Sequence, residues 1–95
     1  MTKDEREYLS RIAALCCRIC VRLGYPDTPA EIHHQRTGVG AGNRASHTRT
    51  VGLCPEHHRG GSGIHGLGRK AFERLYGVTE VELINEVQTL LGEKQ

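Results

Sequence analysis

The stretch Val51-Gly52-Leu53-Cys54-Pro55-Glu56-His57-His58 places a short apolar segment directly before a group of metal-binding side chains. Its first residue and the preceding Thr50 are β-branched, which favours a strand over 48–53. Pro55 suits the first turn of a helix, because the N–H that proline lacks would have no partner there. We therefore expect a strand followed by a short helix over 55–59, which the next two glycines end.

A partner strand is expected upstream over 30–36, where two histidines, His33 and His34, are adjacent. Residues 37–44 are rich in glycine and are not expected to form regular structure. The two strands therefore form a hairpin with a long, flexible loop. Because neighbouring side chains of a strand point to opposite faces, His33 and His34 would not normally bind one ion together.

Amphipathic patterns predict helices on both sides of this hairpin. The first, over 3–16, has an apolar face with i, i+3, i+4, i+7 spacing, formed by Leu9, Ile12, Ala13 and Cys16. Another helix is expected over 69–76, with a glycine as its stop. Thr79 and Glu82 form a Thr-x-x-Glu capping box that begins a last helix over 79–91. We expect the apolar face of that helix to pack on the domain rather than on another subunit.

Two pairs of potential metal ligands share the same two-residue gap. Cys17 and Cys20 form one pair, and Cys54 and His57 form the other. Such a gap lets both side chains of a pair reach one ion, so two pairs complete the tetrahedral Cys3His set of a structural Zn²⁺ site. The competing interpretation is buried thiols beside a surface histidine, and the matched spacing favours zinc. Cys16 lies on the apolar helix face and is expected in the core.

All six histidines lie between residues 33 and 65. Once His57 is assigned to zinc, a second group remains, which contains His33, His34, His58 and His65. Histidine is both a common metal ligand and a general base near neutral pH. The confinement of these residues to one third of the chain therefore indicates a second site that performs chemistry.

The formal net charge of +2 is a weak signal, but the charge is unevenly distributed. Between residues 36 and 70 the only acidic residue is Glu56, whereas the other acids lie towards the two ends. A basic middle segment suits an anionic partner such as nucleic acid. On charge alone, a solvated basic face explains the pattern equally well.

The composition indicates the size of the core and the cellular compartment. The chain has 95 residues with one Phe, three Tyr and no Trp, so its core is small and a bound metal would add rigidity. No segment approaches the length of a membrane span, and the N-terminal residues are charged. We therefore expect a soluble, cytoplasmic protein with no membrane partner.

The segment Glu31-Ile32-His33-His34, a glycine-rich loop and the segment Val51 to His58 together resemble the HNH (ββα-metal) nuclease family. More narrowly, residues 29–34 and the run Cys-Pro-Glu-His-His-Arg-Gly…Gly-Ile-His-Gly within 54–66 resemble the phage Ref-like, RecA-dependent nuclease group. The likeness covers about residues 17–77.

This resemblance implies an α+β fold with a small, zinc-stapled ββα-metal core. The whole chain, 1–95, would be one HNH-type nuclease domain. Its parts would be an N-terminal helix over 3–16, the zinc and HNH core over 17–66, and C-terminal helices over 69–92.

The resemblance also implies the roles of the second histidine group. His34 matches the general base that activates water. His33 and His58 match ligands of the catalytic divalent ion, which would be Mg²⁺, Mn²⁺ or Zn²⁺, and His65 is expected to be a further ligand. These assignments fit the chemistry, because a divalent ion polarises the scissile phosphate while a neutral imidazole accepts a proton from the attacking water.

The chain departs from the HNH pattern at the central asparagine, which braces the hairpin and orients the general base. Counting back from Cys54, Arg49 occupies that place, and Asn43 and His47 are nearby. We assign the catalytic bracing role to His47.

Four arginines are candidates for phosphate contacts, namely Arg36, Arg44 and Arg49 on or near the hairpin and Arg59 on the helix. The resulting hypothesis is an HNH-type DNA endonuclease, encoded by a phage or prophage, that processes or recombines DNA in the bacterial cytoplasm beside RecA filaments. The alternative is a non-catalytic zinc-binding module for DNA or a protein, which would need the Cys3His residues but neither His34 nor His65.

Overall fold

The computed structural model describes residues 1–40, 42–43 and 45–92. In chain order these residues form α1 (Lys3–Ala14), α2 (Arg18–Arg22), β1 (Glu31–His34), β2 (Thr50–Leu53), α3 (Pro55–Arg59), α4 (Ile64–Leu67), α5 (Arg69–Tyr76) and α6 (Glu80–Leu90). The predicted α+β class is confirmed. None of the helices in these ranges is long and apolar enough to cross a membrane.

The two strands form the predicted antiparallel hairpin, in which His33 lies opposite Val51 and Ile32 lies opposite Gly52. Both strands are shorter than the expected 30–36 and 48–53. Every residue of β2 is buried, whereas in β1 only His33 is buried. Strand β2 therefore belongs to the core, whereas β1 is only partly covered.

Helix α1 ends at Ala14, two residues before the predicted end of the 3–16 helix. The cause is Cys16, whose φ of 64° is left-handed and turns the chain away from the helix. The turn brings the end of α1 against β2, where a Cβ added at Gly52 would lie 3.2 Å from the carbonyl oxygen of Cys16. This close approach explains the glycine in an otherwise apolar strand.

The core joins the flanking helices to the hairpin. Its fully buried apolar side chains come from α1, α2, β2, α5 and α6, and they are Ile12, Cys17, Ile19, Val51, Leu53, Phe72, Ile84 and Val87. The capping box predicted for Thr79 and Glu82 is present. The last helix packs its apolar face on the domain, as expected.

Helix α4 follows a fold-back of the glycine-rich segment after α3. A Cβ added at Gly63 would lie 2.8 Å from the carbonyl carbons of His57 and His58. A Cβ added at Gly66 would overlap the carbonyl oxygen of Gly60. Two glycines thus let α4 pack backbone to backbone against α3, which brings His65 beside His58.

Candidate metal centres

The four residues predicted to bind zinc converge on one point and are all buried, with their ligand atoms within 4.8 Å of one another. Nδ1 of His57 lies 3.2 Å from Sγ of Cys54, 3.5 Å from Sγ of Cys20 and 3.6 Å from Sγ of Cys17. The Sγ atoms of Cys20 and Cys54 are 3.8 Å apart. Thiolates about 2.3 Å from a tetrahedral zinc ion would be separated by about 3.8 Å. The cluster therefore fits a structural zinc ion.

The two ligand pairs have the same local structure. Cys17 is the N-cap of α2, and its Sγ accepts a hydrogen bond from the backbone N–H of Cys20. Cys54 is the N-cap of α3, and its Sγ accepts from the backbone N–H of His57. Each pair thus spans the first turn of a short helix, which is why a two-residue gap brings both side chains to one ion.

The electrostatics of this cluster also suit a cation. Burial raises the pKa of the Cys17 thiol to about 11, so a thiolate there needs a neighbouring positive charge. Burial lowers the pKa of His57, which keeps its imidazole neutral and able to act as a ligand. All four cysteines are free thiols. Cys16 is half-buried and lies outside the cluster, so its predicted place in the core is wrong.

A second cluster consists of His33 from β1, His58 from α3 and His65 from α4, again with ligand atoms within 4.8 Å of one another. The ring centroids are 5.3 Å apart for His33 and His58, 5.1 Å for His33 and His65, and 4.8 Å for His58 and His65. The three side chains line an open cavity of about 480 Å³. The structure thus brings together all three residues proposed for the catalytic ion.

Carboxylates hold two of these imidazoles. Nε2 of His33 lies 2.6 Å from Oε2 of Glu80, and Nδ1 of His58 lies 2.8 Å from Oε1 of Glu31. Hydrogen bonds from Arg59 and His58 lower the pKa of Glu31 to about 2, so it is ionised and can only accept. His58 therefore donates through Nδ1 and has Nε2 available as a ligand atom.

His33 contacts its carboxylate, Glu80, through Nε2, whereas His58 contacts Glu31 through Nδ1. Burial raises the pKa of Glu80, but hydrogen bonds from His33, Thr37 and Arg36 outweigh burial and lower that pKa to about 2. His33 therefore donates through Nε2. Its Nδ1 is buried, and no hydrogen-bond partner for it exists in the described part of the chain. An unpaired buried nitrogen is costly, and a metal ion in the cluster would satisfy it.

His34 lies on the opposite face of β1 from His33, as the strand geometry predicts. Its side chain nevertheless lines the same cavity. Its Nε2 lies 2.9 Å from Nδ1 of His47, whose Nε2 lies 3.8 Å from Oε2 of Glu5. The backbone of His47 is held by a 2.9 Å hydrogen bond from the Thr50 hydroxyl to its carbonyl oxygen. His47 therefore occupies a position from which it can orient His34.

The arginines proposed to bind DNA differ in their surroundings. Arg36 lines the cavity and donates to the carbonyl oxygen of Asn43. Arg59 is exposed and pairs with Glu31 at 2.8 Å.

Arg49 donates to Gln35, Asn85 and Gln88, so its guanidinium joins the hairpin to α6. Arg44 lies outside the described residues.

Sequence reasoning missed Glu80 and Glu31 as partners of the histidines. Glu80 follows the N-cap Thr79 and lies 47 residues from His33, so nothing local links the two. Glu31 precedes the histidine pair within the segment that carries the HNH resemblance, but its contact with His58 depends on the position of α3.

Residues 1–92 match the family model described as recombination enhancement, RecA-dependent nuclease. No curated protein matches the chain. The family match includes both clusters and the flanking helices, and so extends beyond the 17–77 segment that carries the sequence resemblance. The chain therefore belongs to the recombination-enhancement family of RecA-dependent nucleases.

Proposed function

We propose that the protein is a metal-dependent HNH-type DNA endonuclease that cuts DNA in recombination beside a RecA filament. Family membership supports nuclease activity and the recombination context. The observation that carries the HNH assignment is the cluster of His33, His58 and His65, placed between a two-stranded hairpin and the helix that follows it. The general-base candidate, His34, lies on the same hairpin.

In this proposal the chain would bind the divalent ion through Nδ1 of His33, Nε2 of His58 and one nitrogen of His65. When bound, the ion would polarise the scissile phosphate and stabilise the departing oxygen. Burial and the neighbouring His33 and His58 lower the pKa of His65, which keeps it neutral and able to bind a cation. The orphaned Nδ1 of His33 is the strongest sign that a cation belongs there.

His34 would accept the proton of the attacking water as a neutral imidazole. His47 would hold the His34 ring through the 2.9 Å contact, in the role that an asparagine has in the HNH pattern. The Glu5 carboxylate behind His47 would favour the positive charge that develops on the histidine pair.

The ligand set indicates which ions suit the site. Three imidazole nitrogens favour Zn²⁺, whereas Mg²⁺ and Mn²⁺ prefer oxygen ligands. Mg²⁺ would therefore depend on phosphate oxygens and water to complete its coordination. We expect Zn²⁺ to bind the free protein most tightly and Mg²⁺ to bind appreciably only with DNA.

DNA would approach across the open cavity. Arg36 and Asn43 line its edge, and the exposed Arg59 lies on α3 beside it. Contacts from these side chains to phosphates would position the backbone without reading the sequence. Because Arg49 is engaged with α6, we assign it to holding the hairpin rather than to DNA.

The test is cleavage of plasmid DNA, alone and paired with RecA-coated single-stranded DNA, in Mg²⁺ or Mn²⁺. Wild-type protein should cut, and His34→Ala should not, although His34→Ala should keep its metal content and thermal stability. His58→Ala should lose both cleavage and metal at the second cluster. Cys16→Ser, outside both clusters, should cut like the wild type.

The alternative, a non-catalytic zinc-binding module, makes the opposite prediction. DNA binding without cleavage, with or without RecA and in either metal, would reject the endonuclease and favour the module. Cleavage that persists in His34→Ala would reject His34 as the base.

A further inference from the structure

Glu80 is a buried carboxylate on the first residue of α6, with no exposed surface. Its two oxygens accept from Nε2 of His33 at 2.6 Å, from the Arg36 backbone N–H at 2.9 and 3.0 Å, and from the backbone N–H and hydroxyl of Thr37 at 2.8 and 2.7 Å. The side chain thus ties a helix outside the hairpin to a proposed metal ligand.

We propose that Glu80 is a positioning residue that determines which nitrogen of His33 faces the metal. The inference rests on the proposed function, because it concerns the same histidine cluster. Both oxygens of Glu80 accept hydrogen bonds from backbone N–H groups of Arg36 and Thr37, so the carboxyl group acts as an acceptor and His33 donates to it through Nε2. A neutral imidazole carries one ring proton, which leaves the lone pair on Nδ1.

The other nitrogen is placed to use that lone pair. Nδ1 of His33 is buried and has no hydrogen-bond partner among residues 1–40, 42–43 and 45–92. The ring packs against the rings of His58 and His65, with which it forms the three-histidine cluster. A carboxylate hydrogen-bonded to the far nitrogen of a ligating histidine fixes the ring orientation and makes the ligand more basic.

The neighbourhood of Glu80 keeps this arrangement rigid. Three donors of the chain segment after β1 hold the carboxylate, so it cannot rotate away from His33 without breaking them. The backbone N–H of Glu80 is itself held at 2.7 Å by Glu73 of α5. By comparison, Glu31 at His58 is partly exposed and shares its oxygens with Arg59. Glu80 is therefore the stronger of the two constraints.

This assignment gives the C-terminal helices a role in the metal site. The hairpin, α3 and α4 supply the ligands, but the group that orients His33 comes from α6. The functional unit thus extends past the 17–66 core that the sequence resemblance marks out.

The first test measures Co²⁺ affinity by visible absorption in protein whose Cys3His site is filled with Zn²⁺. Glu80→Gln should bind Co²⁺ about 10- to 100-fold more weakly than the wild type. Glu82→Gln is the matched control, because it removes the same charge from the same helix turn at an exposed position, and it should bind like the wild type. Excess Mn²⁺ should restore cleavage by Glu80→Gln, which a purely structural defect would not allow.

The second test needs no variant. Long-range ¹⁵N–¹H spectra of the wild type should show His33 protonated at Nε2 and unprotonated at Nδ1, and added Zn²⁺ should shift the Nδ1 resonance. A proton on Nδ1, or metal bound through Nε2, would overturn the proposal. So would unchanged Co²⁺ affinity in a folded Glu80→Gln.

The two proposals fail separately. If the wild type never cuts DNA but His33 binds metal through Nδ1 and Glu80→Gln weakens that binding, the role of Glu80 stands and the endonuclease is rejected. If the wild type cuts DNA and Glu80→Gln neither weakens metal binding nor slows cleavage, only the role of Glu80 is rejected.

Discussion

At two places in the chain, adjacent histidines belong to different side-chain clusters. His33 and His34 point to opposite faces of β1, so His33 reaches the metal cluster and His34 reaches His47. His57 and His58 are about 100° apart around α3, so His57 joins the cysteines and His58 joins His33. One residue of sequence separation is therefore enough to place neighbouring imidazoles in different sites.

Cys17→Ser should greatly reduce zinc content and destabilise the fold, because it removes a buried ligand and leaves the remaining three with an incomplete shell. Zinc content and thermal unfolding measure the effect. Cys16→Ser is the control, since Cys16 is the neighbouring residue and lies outside the cluster. Equal zinc loss in both variants would contradict the assignment.

His47→Ala should slow DNA cleavage by roughly tenfold or more, because His34 would lose the group that orients it. Metal content and melting temperature should stay close to those of the wild type, since His47 belongs to neither cluster. Single-turnover cleavage at saturating metal is the measurement. Thr48→Ala, on the exposed neighbour, should have no effect on the rate, and an equal loss in both variants would count against a specific role for His47.

At the scale of elements, the two glycines in and before α4 matter for their small size. Gly66→Ala would place a methyl group on the carbonyl oxygen of Gly60, so α4 would have to move away from α3. We expect a loss of about 1 to 3 kcal/mol in the free energy of unfolding and weaker metal binding at the histidine cluster, because His65 moves with α4.

Gly61→Ala is the control for that variant, since a Cβ there would meet no atom within 4 Å. Chemical denaturation and Co²⁺ titration of the two variants give the comparison. If Gly66→Ala keeps the wild-type metal affinity, the packing of α4 on α3 does not set the position of His65.

The elements that sequence could predict are those with local signals. The capping box at Thr79 marks the start of α6, and the glycine after Tyr76 marks the end of α5. The matched spacing of the cysteine and histidine pairs works because each pair spans one helix turn. Glu80 could not be assigned to His33, because their contact depends on packing between distant elements. Helix α4 depends in the same way on the close approach of Gly66 to Gly60.

At the scale of the whole molecule, α3 is shared by the two clusters. His57 on this helix completes the Cys3His site, and His58 on it contributes to the histidine cluster. The cysteine site also joins α2 to α3 around the small core. The Cys3His site should therefore support the geometry of the histidine cluster, whereas the histidine cluster contributes less to the Cys3His site because it lines an open cavity.

This asymmetry predicts stepwise metal removal. A mild chelator should first strip the histidine cluster, which is partly exposed, and abolish cleavage while the circular dichroism spectrum and melting temperature change little. Acid should also release that metal, because protons compete for the ligand nitrogens. The midpoint pH of this release should lie below the ordinary histidine pKa, because burial lowers the pKa of His65. A strong chelator should then remove zinc from the buried Cys3His site and unfold the protein. Metal analysis at each step, paired with thermal melts, checks the order; simultaneous loss of both metals, or unfolding at the first step, would show that the two sites are not independent.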